Sequence, residues 1–94
     1  MSRVATIILN RNLPDVTDKL YDSLIEKNNA ISDIYIVEAG SDSDNLSKST
    51  TWHNDSPDVM KNGLRYNRGM NYGLCKLIEE NKFKNYDAFF FLTN

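Results

Sequence analysis

The chain has one cysteine and one histidine in 94 residues, no excess of charge of either sign, and no long apolar run. Each scarcity removes a class of protein. A lone cysteine, Cys75, cannot close an internal disulfide and fits a reducing compartment, so a cytoplasmic location is expected. It falls within a helical apolar pattern, which predicts a small buried hydrophobe. The one histidine, His53, has no partner at metal or triad spacing and reads as a surface or packing residue. The longest apolar run covers only residues 88–92, far below the roughly 20 residues needed to span a bilayer. The amino-terminal stretch MSRVATIILNRN lacks a small-residue cleavage pattern, so no secretory signal is expected. A net charge of −2 gives no electrostatic footprint for nucleic acid or anionic lipid. Neither G-x-G-x-x-G nor G-x-x-x-x-G-K-[ST] occurs, which disfavours a dinucleotide oxidoreductase and a triphosphate-binding loop.

What is present is ordinary globular composition, 40% hydrophobic and 26% charged, which argues against disorder and collagen-like repeats. At this length the chain makes at most one small domain, and no linker or repeat divides it. VATIIL, residues 4–9, is short and rich in β-branched residues, as a strand buried on both faces would be. Pro14 suits a first helical position, Asp15 and Asp18 suit the positive end of the dipole, and Val16, Leu20 and Leu24 recur at fours, predicting a helix over 14–27. DIYIVEAG gives a second strand at 34–37, closed by a glycine and followed by the polar loop SDSDN. Asp42 and Asp44 in that loop lack the glycine and distal glutamate of a calcium loop and read as a solvated turn.

The middle has no strong period; its threonines and Trp52 predict a short third strand over 49–53. From Gly69, the residues Met70, Leu74, Leu77 and Ile78 share one helical face, predicting a helix over 69–81. AFFFL at 88–92 is the last strand, with its phenylalanines at 89, 90 and 91 in the core of a complete sheet and some of them exposed where the remainder of the sheet is absent. Tyr66 and Tyr72 are expected to pack. Alternating strands and helices predict an α/β fold: a Rossmann-like, mostly parallel sheet of three or four strands with flanking helices.

In such a sheet the carboxyl-terminal loops share one edge, and ligands bind there. With no glycine-rich cradle, a phosphorylated ligand needs arginine or a divalent cation held by carboxylates; Arg11, Arg65 and Arg68 are available for the first. The chain reaches the carboxyl edge of its most apolar segment, DAFFFLTN, and stops, so residues 1–94 are expected to be a single partial domain.

The order VATIILNRN, IYIVEAGSDSD, NRGMNYGL, YDAFFFLTN resembles the amino-terminal half of a family 2 glycosyltransferase of the GT-A fold. The resemblance covers essentially the whole chain. It implies a nucleotide-sugar-binding half that serves an inverting sugar transferase, the acceptor half being absent and the chain alone inactive. It implies that Glu38 contacts the nucleotide base, with Gly40 and Ser41 completing that loop. It sets Leu9, Asn10, Arg11 and Asn12 along the same pocket, and Arg68, Gly69 and Asn71 near the base and diphosphate. Thr93 falls where the first aspartate of the D-x-D metal motif stands, and the second would follow Asn94. A divalent cation, Mn²⁺ or Mg²⁺, is implied for the complete enzyme. Departures are Leu9 for the usual proline, Glu38 for aspartate, contracted spacing of the N-x-G pairs, and a non-acidic Thr93. The family's catalytic base has no counterpart. The alternative reading is a small non-catalytic, flavodoxin-like protein-binding module. In either case the open sheet edge offers a strand for self-association.

Overall fold

The computed structural model describes residues 3–28 and 32–93. Four strands, β1 (Val4–Asn10), β2 (Ser32–Ala39), β3 (Trp52–Asn54) and β4 (Ala88–Thr93), form one sheet in the order β3-β2-β1-β4. Every pair is parallel. The fold is therefore α/β and Rossmann-like. The order matches the first four strands of the doubly wound 3-2-1-4 arrangement rather than the flavodoxin order, in which strands 2 and 3 flank strand 1.

Right-handed crossovers dictate where the helices go. Helix α1 (Pro14–Asn28) connects β1 to β2, while α2 (Pro57–Asn62) and α3 (Tyr66–Glu79) lie between β3 and β4. Because the second crossover runs back past β1, its helices cover the opposite face from α1. Strand alternation then sorts the side chains. Ala5, Ile7, Leu9, Tyr35, Val37 and Trp52 face α3 and form the core with its Met70 and Leu77. Thr6, Ile8, Asn10, Ile36 and Glu38 take the other face.

Two helical glycines let α3 lie close on β1. A Cβ on Gly69 would stand 2.5 Å from Leu9 Cδ1, and one on Gly73 would stand 3.0 Å from Ile7 Cγ2. Phe89 and Phe91 pack at the rim of this core, as does Tyr72. On the α1 side the cover is incomplete. Phe90 is 63% exposed beside a cavity of about 250 Å³ lined by Val4, Leu24, Ile34 and Leu92 among others.

Several expectations change. Val16 is half exposed and Thr17 is buried in its place, so the inward stripe of α1 runs through Thr17, Leu20 and Leu24. Helix α3 begins three residues before Gly69 and ends two before Asn81, and Ile78 lies outside its buried face. Cys75 is exposed rather than buried, because Gly73 and Leu77 occupy the inward positions. The third strand is shorter and later than 49–53: Thr51 uses its hydroxyl and backbone N–H on the Ile36 backbone, and the ladder begins only at Trp52. The sequence reading has no counterpart of α2. The Tyr66 side chain and Asn94 lie outside the described residues. No helix among the described residues is long and apolar enough to cross a membrane.

Candidate functional site

Parallel strands bring Asn10, Ala39, Asn54 and Thr93 to one edge. Connections leave the sheet in opposite directions on either side of β1, so the topological switch lies between β1 and β4. The sheet plane divides this edge into two unlike halves.

On the α1 side the edge is a closed polar web around Glu38, whose side chain is fully buried. Its Oε1 accepts from Asn10 Nδ2 at 2.7 Å and from Ser41 Oγ at 2.6 Å. Its Oε2 accepts from the Ser47 backbone N–H at 2.8 Å and from Thr50 Oγ1 at 2.5 Å. Among the described residues no cation stands beside it; a buried carboxylate then persists only if its lone pairs are filled, and here four neutral donors fill them. Asn10, also fully buried, turns its Oδ1 to Thr17 Oγ1 at 2.8 Å and to the Leu13 N–H at 3.2 Å, which anchors the start of α1.

The web extends outward through Ser41. Its Oγ accepts the Asn12 N–H at 3.0 Å. Asn12 sits at φ 58°, a left-handed conformation that asparagine tolerates better than most residues. Its Oδ1 accepts from the Asp42 N–H at 2.8 Å and from Asn45 Nδ2 at 3.3 Å. The loops after β1 and β2 are thereby stitched together. His53 is half-buried, and its Nε2 faces the Ser41 carbonyl oxygen at 3.1 Å, a bond that requires the proton on that nitrogen. Asp42 and Asp44 are exposed, as a solvated turn requires.

Gly40 fixes how α2 meets this edge. At φ 79° a Cβ on it would stand 2.1 Å from the Val59 carbonyl oxygen, so only glycine fits. With α2 pressed there, the α3 side of the edge becomes an open depression of about 500 Å³ lined by Asp58, Asn62, Gly63, Arg65 and Arg68. Arg11 reaches over from the β1 loop, donating Nη2 to the carbonyls of Met60 and Lys61, each at 3.2 Å. Arg68 pairs with Asp58 at 3.4 Å with both side chains more than half exposed, an arrangement worth under about 1 kcal/mol. Asp58 also accepts from Asn62 at 3.0 Å. Among the described residues the Arg65 guanidinium has no protein partner. Arg65 also holds the N-cap of α3, where no side chain caps the helix.

The ten residues singled out from the sequence divide along the same line. Leu9, Asn10, Glu38, Gly40 and Ser41 are buried; Asn12 is half buried; Arg11, Arg68, Asn71 and Thr93 are exposed. Leu9 lies beneath Gly69 in the α3-facing core rather than along a pocket wall. Every oxygen of Glu38 is engaged within the protein, so a base contact is not open to it in this structure. Asp58, Asn62 and Gly63 were not singled out; the signal for them was S-P-D followed by glycine five residues on, the punctuation of a short helix.

Thr93 brings a hydroxyl, not a carboxylate, to the end of β4, and no group of three or more His, Cys, Asp or Glu residues suited to a metal ion lies among the described residues. Two ionisable groups elsewhere are clearly shifted. Burial pushes the Tyr86 phenol above its ordinary range, reinforced by its bonds to Tyr35 and Asp33. The hydrogen bond from Trp52 Nε1, at 2.6 Å, draws the Glu80 carboxyl below its usual value, with Lys82 adding to it. Both belong to the opposite end of the α3-facing core.

Compared with family models, with curated proteins and with solved structures, the chain matches none.

Proposed function

We propose that the chain is the nucleotide-binding half of an inverting glycosyltransferase and that the open arginine-lined corner takes the diphosphate of a nucleoside-diphosphate sugar. The observation that carries this reading is the depression beside the α2–α3 turn, in which Arg65 has no partner among the described residues and Arg68 is only weakly held. Arginine forks match phosphate oxygens in pairs, and an exposed ion pair gives way to a dianion at little cost. During transfer the anomeric C–O bond to the terminal phosphate breaks and the leaving diphosphate gains charge, which fixed cations at this corner would offset. The acceptor hydroxyl must lose its proton to a base, a role to which no described residue is assigned. The divalent cation implied by the family resemblance belongs to this proposal, but no ligand for it is assigned among the described residues. The single cysteine and the lack of a bilayer-length apolar run suit a cytoplasmic setting.

The test is a titration of the 94-residue chain with UDP, GDP and dTDP, with and without Mn²⁺, followed by amide NMR. Shifts are expected at Arg11, Asn12, Arg65, Arg68 and Asn71, and Arg65→Ala with Arg68→Ala should weaken binding by about tenfold to a hundredfold. A folded chain silent to all three nucleotides overturns the proposal.

A second reading is favoured by one observation. β4 is an edge strand, uncharged from Ala88 to Thr93, with Phe90 63% exposed beside an apolar cavity. Such an edge pairs readily with another copy. Sedimentation should show a concentration-dependent dimer that Phe90→Lys abolishes; a monomer at every concentration removes this reading.

A further inference from the structure

The donors around Glu38 are not interchangeable. Ser41 and Thr50 offer hydroxyls, which can rotate and either give or accept. Asn10 Nδ2 and the Ser47 backbone N–H can only give, and one of them sits on each carboxylate oxygen. Asn10 cannot flip its amide to accommodate a change, because its Oδ1 already takes Thr17 Oγ1 and the Leu13 N–H. Both oxygens of residue 38 must therefore be acceptors. Glutamine fails in either orientation, since its NH₂ would face a fixed donor, and aspartate falls short by one methylene.

What this demand holds in place are the loops that follow β1 and β2. The Glu38 carboxylate sets the direction of the Ser41 hydroxyl, and the lone pair left on Ser41 Oγ receives the Asn12 N–H. On its other oxygen it ties down the turn containing Ser47 and Thr50, a turn closed by the Thr50 N–H on the Ser47 carbonyl. Asn12, with its left-handed backbone, joins the β1 loop carrying Arg11 to the loop carrying Asp42 and Asn45.

We infer that Glu38 is a positioning residue: acting through Ser41 and the Ser47 N–H it fixes Asn12 and the 47–50 turn, and selection among nucleotide bases lies with exposed residues of the corner instead. The positioning half stands on this geometry alone. The selectivity half rests on the nucleotide-binding reading above. The assignment departs from what the family resemblance implies for this position, a direct base contact.

The experiment is amide hydrogen exchange on Glu38→Gln, paired with the same chain's affinities for UDP, CDP, GDP and dTDP. Exchange at Ser47 and Asn12 should rise at least about tenfold, the loss expected when a buried donor is left unpaired. The affinities should fall together, with their ratios kept within about twofold, whereas loss of a direct base contact changes such ratios by tenfold or more. Unchanged exchange at both amides, or a reordering of the nucleotides, overturns the inference. Ser41→Ala separates the two arms: exchange at Asn12 should rise while Ser47 stays protected, and an unchanged Asn12 breaks the proposed relay. Should Glu38→Gln not fold, Thr50→Val, which removes one hydroxyl and keeps the shape, should raise Ser47 exchange in the same direction. A wild-type chain that binds no nucleotide overturns the functional proposal, and the exchange measurements then decide the positioning role by themselves.

Discussion

The two faces of the sheet solve different problems. Against α3 the side chains are apolar, the helix is drawn in by Gly69 and Gly73, and the contacts are those of a continuous core. Against α1 the upper half is polar, with Asn10, Thr17, Glu38, Ser41 and Ser47 all buried, and the half beside β4 is open. Non-directional burial holds the fold together on one face. Directional hydrogen bonds hold the edge loops in place on the other, where a small displacement leaves a buried donor or acceptor unpaired. The α3 face therefore tolerates changes of shape better than changes of volume, and the α1 face the reverse.

The most direct way to break this contrast is to delete equal volume from each face. Leu77→Ala, at a fully buried position of α3, should cost about 3 kcal/mol. Leu24→Ala, at the half-open α1 groove, should cost about 1 kcal/mol, since it removes less contact from a cavity already there. Urea midpoints read both, and equal losses would mean that the faces are packed alike. Next in size is Asn10→Ala, which removes a bond from Glu38, one from Thr17 and one from the Leu13 N–H. We expect a loss of about 2 kcal/mol although little apolar surface changes; a loss below about 0.5 kcal/mol would show the web to be slack.

The smallest effect sharpens the account of the α3 face, whose lower rim is sealed by Tyr86 against Tyr35 and Asp33. The folded phenol holds its proton above the ordinary value of 10.0, so the unfolded chain ionises first. Its contribution is fully present below pH 10 and fades as pH rises beyond that. Tyr86→Phe should flatten the fall of the melting temperature across that alkaline range, and parallel curves for the two proteins would remove Tyr86 from the seal.

The same contrast explains what could be read from the residues alone. Strands β1, β2 and β4 are apolar runs, and hydrophobic pattern found each within two residues at either end, although β4 is only partly buried. Helix α1 was legible from Pro14 and its acidic first turn, although Thr17 rather than Val16 turns inward because Asn10 needs its hydroxyl. The stretch from Leu46 to Gly63 stayed dark for a related reason. Its Ser47, Thr50 and Thr51 are spent on buried backbone and carboxylate partners, so burial there follows polar need and shows no apolar period. Glu38 could be found at a strand end, yet its depth could not, because a charged residue at such a place usually faces water. Strand parity carries a signal that was available: Glu38 shares its phase with Ile34 and Ile36, and Asn10 shares the phase of Ile8. Of the open corner, Arg11, Arg65 and Arg68 were legible as cations, whereas their gathering around α2 depends on Gly40 and Val59 meeting across nineteen positions of chain.

The central strand has one further consequence. β1 hydrogen-bonds to β2 with Val4 opposite Ser32, and on its other side to β4 with Val4 opposite Ala88. The first ladder can form after some thirty residues have been made; the second waits for nearly ninety. Bringing the distant partner in costs only about 1 kcal/mol more in chain entropy, but it delays completion, and folding dominated by such remote pairings is slow. During synthesis, then, the strand that ends as the most protected in the molecule spends the longest time with one side bare, and a nascent chain of this protein is most vulnerable to misassociation at its own future centre.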